Sequence, residues 1–312
     1  MQLPFSASSK NFIDYALQAS KRRGVIINNH TQGAKGICDQ VDALSQLFDF
    51  IALDDLRSAT KEKRERPFCL FTFDDGKKIN VEAAEKLYQL GVPATFFICT
   101  EYISSGRALW FDELGALART APQAVSQFGL NEAKMLPFRE IRSRLDGALK
   151  AVDCHVDLSD PKIGPMDWDD VRGLAKKGFS IGAHGRFHAI LTNESNSDAA
   201  IDISQSIEKL NVELNVKCRT FAFPNGNFNV FLAKTAFTNG AEFLFTTEPL
   251  WTSSKHVTKK MLPRIQLHEK HDEISMKLKL MLAQLAVILK DPNGTGRHYI
   301  ARNMNLKLKR ST

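Results

Sequence analysis

The sequence predicts an α/β fold built on a parallel sheet, and three observations predict it. Short β-branched or aromatic runs alternate with helical patterns through most of the 312 residues, the signature of repeated βα units. The composition, 43% hydrophobic and 25% charged, is that of an ordinary globular chain and excludes disorder, collagen and coiled coil. No internal repeat, low-complexity tract or Pro/Gly/Ser-rich linker breaks the pattern, so a single domain is the simplest organisation. A chain of this length buries roughly three quarters of its unfolded surface and needs no disulfide or structural metal to fold. Any metal it holds would be functional.

The β-branched run at Val25 to Asn28 predicts the first strand, and the aromatic run Phe68 to Phe73 the second. Ala94 to Cys99, Phe179 to Gly182, Arg219 to Phe223, Glu242 to Thr246 and Leu262 to Ile265 predict the others. Between them, Val81 to Leu90 has a helical pattern ended by Gly91 and Pro93, and Trp168 to Lys177 has one opened by Asp167 and closed by Gly178. Thr120 to Pro165 is helical in pattern and rich in charge; it reads as an insertion between two βα units and shows no chemistry of its own. Near the end, Ile274, Leu278, Met281, Leu282, Leu285, Ile288 and Leu289 recur at helical spacing.

Five scattered cysteines without a CxxC pair point to reduced thiols rather than a secreted disulfide framework. No apolar run suits a signal peptide or approaches a membrane span, so a cytoplasmic protein is expected. The net charge of +7 sits at the carboxyl end, where residues 254–312 hold 13 Lys and Arg against 4 Asp and Glu. After Trp251 only Tyr299 is aromatic, which argues against nucleic acid as a partner. The alternative use of this end, apolar helix plus the basic stretch Arg297 to Arg310, is peripheral contact with anionic lipid at the inner membrane face; core packing of the helix competes with it.

Two constellations carry chemistry. The strand Phe68 to Phe73 stops in Asp74-Asp75-Gly76, and strand carboxyl ends are where α/β sheets bind ligands. Side chains alternate along a strand, so both carboxylates share one site only if the chain turns there, as Gly76 permits; a solvated Asp-Gly turn is the other reading. The second constellation, His184-Gly185-Arg186-Phe187-His188, follows another predicted strand. Two imidazoles and one carboxylate form a set suited to Zn²⁺ with a position open for water.

Together, Thr72-Phe73-Asp74-Asp75-Gly76 and the H-x-x-x-H of His184 to His188 resemble the first two motifs of the polysaccharide deacetylase family, with its NodB homology domain. Phe221 to Gly226 is loosely similar to its third motif, and Leu262 to Ile265 is similar to the closing strand of its glucosaminan-deacetylase-like members. The resemblance spans about residues 24–268. It implies a distorted or incomplete (β/α) barrel of about seven parallel strands, which alternation alone does not separate from an open sheet.

It also implies roles. Asp75, His184 and His188 would hold a divalent metal, Zn²⁺ first and Co²⁺ or Mn²⁺ as alternatives. Asp74 would be the base, and the Asn225 N–H, after Pro224, an oxyanion donor. His268 is the expected acid, and Trp251 the expected wall of the acetyl pocket. Where many members carry an arginine in the third motif this chain has Ala222 and Phe223, so Arg264 is expected to supply that charge. The implied activity is hydrolysis of an N-acetyl group on an amino sugar, in a polysaccharide or lipid-linked saccharide. An O-acetyl esterase and a non-catalytic sugar-binding module are the alternatives, the second disfavoured because binding needs no base. A metal phosphoesterase would want further carboxylates that the sequence lacks.

Overall fold

The computed structural model describes residues 14, 16, 17, 23–62, 64–125 and 128–290. In chain order, β1 (Gly24–Asn29), α1 (Ala34–Leu44), β2 (Asp49–Phe50) and α2 (Leu56–Lys61) lead to β3 (Phe68–Phe73), α3 (Ile79–Gln89) and β4 (Ala94–Ile98). Then come α4 (Thr100–Ser105), α5 (Trp110–Thr120), α6 (Leu130–Ala133), α7 (Phe138–Ala151), α8 (Trp168–Lys176), β5 (Ser180–Ala183) and α9 (Asn196–Leu214). The chain closes with β6 (Thr220–Ala222), α10 (Val230–Thr238), β7 (Phe243–Phe245), α11 (Ser254–Lys259), β8 (Met261–Leu262), β9 (Ile265–Gln266) and α12 (Glu273–Lys290). Helix α8 opens on the predicted Asp167, whose side chain accepts from the Asp170 N–H in a capping box.

The sheet order is β8-β7-β6-β5-β4-β3-β1-β9, with β2 also on β3, and every pairing is parallel. Strands β8 and β9 stand at opposite ends of that order, yet only Pro263 and Arg264 separate them. Met261 and Leu262 pair with β7, Ile265 and Gln266 with β1. One short segment therefore touches both edges and curls the sheet into a distorted (β/α) barrel. The sequence reading drew this segment as one strand, but Pro263 has no N–H to give to a ladder, and the pairing breaks there. The two-residue β2 was not foreseen; so short a run has no periodicity to read.

Alternation along the strands sorts the core. Ile26, Phe68, Leu70, Phe97, Ala222, Phe245 and Leu262 share one cluster; rings of Phe97 on β4 and Phe245 on β7, which are not sheet neighbours, approach to 4.8 Å inside the barrel. The alternate residues Val25, Ile27, Cys69, Phe71, Phe96 and Ile98 pack outward in the larger cluster with the helices. The expected insertion at 120–165 is helical, and α5, α6 and α7 enclose a small core of their own from Trp110, Leu114, Leu117, Ile141 and Leu145.

Helix α12 packs on the barrel. Met276, Leu280 and Ala283 are buried in the main cluster, a face rotated from the one predicted, and Leu285 of the predicted face is exposed. The basic stretch 297–310 lies outside the described residues. Among the described residues, no helix is long and apolar enough to cross a membrane.

Candidate active site

The carboxyl ends of β1, β3, β5 and β6 converge at one end of the barrel. Asp74 follows β3 in phase with the inward Leu70 and Thr72, so its carboxylate points over the barrel axis. There Arg264 meets it with two parallel bonds, Nη1 to Oδ1 at 2.6 Å and Nη2 to Oδ2 at 2.8 Å. The guanidinium also donates to the Thr246 carbonyl and to Thr72 Oγ1 and lies over the rings of Phe97 and Phe245. Arg264 is 1% exposed. So deep a charge persists because a bidentate carboxylate and fixed dipoles satisfy it. Arg264, which the sequence reading expected to supply the missing third-motif charge, is thus brought against Asp74.

The turn that joins the two carboxylates begins at Asp75 itself, with φ 81°, and continues through Gly76 with φ 86°. Its carbonyls are held by the N–H groups of Cys99 and Met166. The turn swings Asp75 Oδ1 to 3.7 Å from His184 Nε2 and 3.5 Å from His188 Nε2. His184 Nδ1 donates to the Ala222 carbonyl at 2.8 Å, leaving the lone pair on Nε2 facing the carboxylates. His188 has φ 57° and is braced by α5: Trp110 Nε1 donates to its carbonyl, and Phe111 meets its ring edge-on. Buried Lys77, beside the turn, pairs with Asp112 of the same helix at 2.7 Å.

Asp75, His184 and His188 offer three ligand atoms within 4.8 Å of one another. Asp75 Oδ1 and His184 Nε2 are buried without a hydrogen-bond partner among the described residues, an expensive state for polar atoms unless something else completes them. Tetrahedral coordination at Zn–N and Zn–O lengths of about 2.0–2.2 Å puts ligands roughly 3.3–3.6 Å apart, close to the two separations found here. These residues therefore fit a divalent cation.

Electrostatics agrees. Burial works to raise Asp74, but Arg264, His184 and His30 overcome it and hold the carboxyl well below the usual range. Asp75 is likewise lowered, against its burial, by His188, His30 and Lys77. Burial depresses His188 to about 4 and lowers His30 as well. Lowered carboxyls at Asp74 and Asp75 beside lowered imidazoles at His188 and His30 favour the forms that bind metal.

The third-motif segment forms a tight turn in which Pro224 is buried and Asn225 has φ 57°. The turn closes from the Gly226 N–H to the Phe223 carbonyl at 2.8 Å, so the Asn225 N–H is not used in closing it. Three of the six described non-glycine residues with positive φ are Asp75, His188 and Asn225. Such conformations cost about 1–3 kcal/mol each and cluster where geometry serves a site.

Two expected residues stand elsewhere. Trp251 is fully buried, its Nε1 donating to Leu280 of α12 and its ring against Phe48. The adjoining Thr252 pairs with Gly24 at the start of β1, which puts Trp251 near the opposite end of the barrel, so it walls no acetyl pocket. His268, just past β9, is exposed, and its ring lies against His271. Besides His184, whose Nε2 lies 3.7 Å from Asp74 Oδ2, the imidazole near Asp74 is that of His30, at the carboxyl end of β1, with Nε2 4.0 Å from the same oxygen. Gln266 Nε2 lies 3.3 Å from His30 Nδ1, leaving the proton on Nε2. The sequence reading passed over His30, although it follows a strand by the same offset as Asp74.

Residues 61–244 match the family model of polysaccharide deacetylases, and no curated protein matches the chain. Among solved structures, a Streptococcus pyogenes deacetylase, PplD, in complex with acetate is similar at 14% identity, covering 83% of this chain and 98% of that one with a TM-score of 0.58. IcaB from Ammonifex degensii is similar at 13% identity, covering 83% and 97%, with a TM-score of 0.56. A de-N-acetylase from Aggregatibacter actinomycetemcomitans is similar at 12% identity, covering 83% and 100%, with a TM-score of 0.55. At these identities the structures speak for the fold.

Proposed function

The chain belongs to the polysaccharide deacetylase family, and from that premise we propose that it hydrolyses an N-acetyl group on an amino sugar, with a divalent metal, Zn²⁺ first among candidates, held by Asp75, His184 and His188. The observation that carries this reading is the pair of buried, unpartnered atoms Asp75 Oδ1 and His184 Nε2 beside a carboxylate locked by Arg264. When bound, the cation supplies Lewis acidity that brings a water's pKa towards about 7 and polarises the amide carbonyl.

The chain's own residues do the rest. Asp74, fixed by two bonds to Arg264 and so unable to swing onto the cation, accepts the proton of the attacking water. The low proton affinity that Arg264 imposes keeps this transfer transient. His30, 4.0 Å from Asp74 Oδ2, takes up the proton that Asp74 removed from the water and, as the imidazolium so formed, hands it to the departing amine as the C–N bond breaks, returning to the neutral imidazole. The Asn225 N–H stabilises the developing oxyanion. His30 takes the acid role in this reading because it, and not His268, stands beside the base.

The test is acetate release from N-acetylated and O-acetylated saccharides by the full chain, before and after chelation. Release from the amide that chelation stops and Zn²⁺ restores supports the reading. Release from the ester alone would transfer the assignment to an O-acetyl esterase, and release that survives chelation would overturn the metal's role.

A further inference from the structure

The two imidazoles of the proposed ligand set are held in different ways. His184 Nδ1 donates to the Ala222 carbonyl, the usual arrangement for a metal-bound imidazole, whose second nitrogen is fixed by an acceptor behind it. His188 Nδ1 is buried and has no hydrogen-bond partner among the described residues. Its backbone stands at φ 57°, a conformation that persists when the surrounding structure enforces it. The His188 ring is therefore oriented by packing, and that packing comes from α5.

Three consecutive side chains in the first turn of α5 share the task. Trp110 Nε1 donates to the His188 carbonyl at 3.1 Å, and the Phe111 ring meets the imidazole edge-on with centroids 5.0 Å apart. Asp112 pairs with the Lys77 ammonium at 2.7 Å. Lys77 stands two residues beyond Asp75 and is 3% exposed. Its Nζ also lies 5.3 Å from the centre of the Phe111 ring, within cation–π range. Its backbone is bridged to Pro165, so the ammonium starts from a fixed base. One cation thus touches both the carboxylate of α5 and the ring that aims His188. Behind them, α5 is seated in the core it shares with α6 and α7, which makes it a rigid arm.

A buried ion pair is a poor source of stability, because desolvating two charges offsets most of their attraction. What it supplies is a fixed separation, here between the turn that carries Asp75 and the helix that orients His188. Asp75 Oδ1 and His188 Nε2 stand 3.5 Å apart across that connection. We propose that Lys77 and Asp112 are positioning residues for the cation: their ion pair clamps the first turn of α5 to the turn after β3, so that two ligands delivered by separate strands reach one ion. The inference rests on the metal reading proposed above, and it concerns how tightly the ion is held.

The experiment measures Zn²⁺ affinity by competition with a chromophoric chelator, together with thermal melts of the metal-free protein. It compares the full wild-type chain with the double variant Lys77→Met/Asp112→Asn, which removes both charges at once with little change of volume. The metal-free double variant is expected to melt within a few degrees of the wild type, because no buried charge is left unpaired. It should nevertheless bind Zn²⁺ roughly 10- to 100-fold more weakly, the loss typical when a group supporting a ligand is removed. Phe111→Leu leaves the ion pair in place and takes away the ring edge; it should weaken Zn²⁺ binding in the same direction, and it decides the matter if the double variant folds poorly. Wild-type affinity in the folded double variant, or failing that in Phe111→Leu, would overturn the positioning role and leave the metal reading intact. A wild-type chain that binds no Zn²⁺ would overturn both.

Discussion

Near the amino end of the barrel, the single polar atom of the Trp251 side chain is donated to Leu280 at 2.8 Å, and its ring rests on Phe48. At the carboxyl end, Asp75 Oδ1 and His184 Nε2 are as thoroughly buried and have no hydrogen-bond partner among the described residues. These groups share the same depth and differ in whether a hydrogen bond satisfies them. An unpaired buried group costs about 1–3 kcal/mol, and the left-handed backbone at Asp75, His188 and Asn225 adds to it. The Trp251 donor is therefore settled by the protein's own contacts, whereas Asp75 Oδ1 and His184 Nε2 are left for the proposed cation to complete.

The largest effect expected from this contrast is at Asp75. Asp75→Asn should lose the metal and the activity together, as should His184→Ala. Elemental analysis of the purified variants checks this, and undiminished metal content would remove the contrast at its root. Next comes the neighbouring carboxylate: Asp74→Asn should retain metal while the rate falls roughly 10²–10⁴-fold, the usual loss for a proton acceptor. If metal content falls as far as it does in Asp75→Asn, the division of labour between the two is misassigned.

A further variant probes a buried carboxylate that supports the site from α9. Asp202 accepts the Arg186 N–H at 3.0 Å, and burial pushes its carboxyl up to about 7. A carboxyl raised in the folded state binds more protons there than when unfolded, so its contribution is present below about pH 4 and is lost as pH rises through 7. Asp202→Asn should therefore stabilise the protein by about 1–3 kcal/mol at pH 8, and clearly less at pH 5. Denaturant melts at the two values check the sign; a variant less stable at pH 8 than the wild type would contradict it.

The smallest effect belongs to the other end of the barrel. Trp251→Phe keeps an aromatic ring but loses the pyrrole half of the buried indole with the donor to Leu280, which should cost about 1–3 kcal/mol of stability and leave kcat/KM unchanged. A drop in kcat/KM without a drop in stability would show that this end contributes to catalysis and would erase the distinction.

What the sequence determined by itself is what local spacing encodes. Hydrophobic runs and breakers located the seven predicted strands, Gly76 permitted the turn, and the intervals within Thr72 to Gly76 and His184 to His188 set both halves of the proposed ligand set. Arg264 was legible as a charge with no other assignment. Its partner Asp74 is 190 residues away in the chain, and only curling of the sheet around Pro263 brought the two side chains together over the barrel axis. His30 meets Asp74 by a different contact, the in-register pairing of β1 with β3 that sets Asn29 beside Phe73, which no spacing in the sequence could show. Closure also decided against His268 and Trp251. The chain leaves β9 outward, so His268 faces solvent, and α12 covers Trp251. Short-range pattern sets which way a side chain points along its own strand or helix; which groups it then meets depends on contacts between segments far apart in the chain, and those exist only once the barrel has closed.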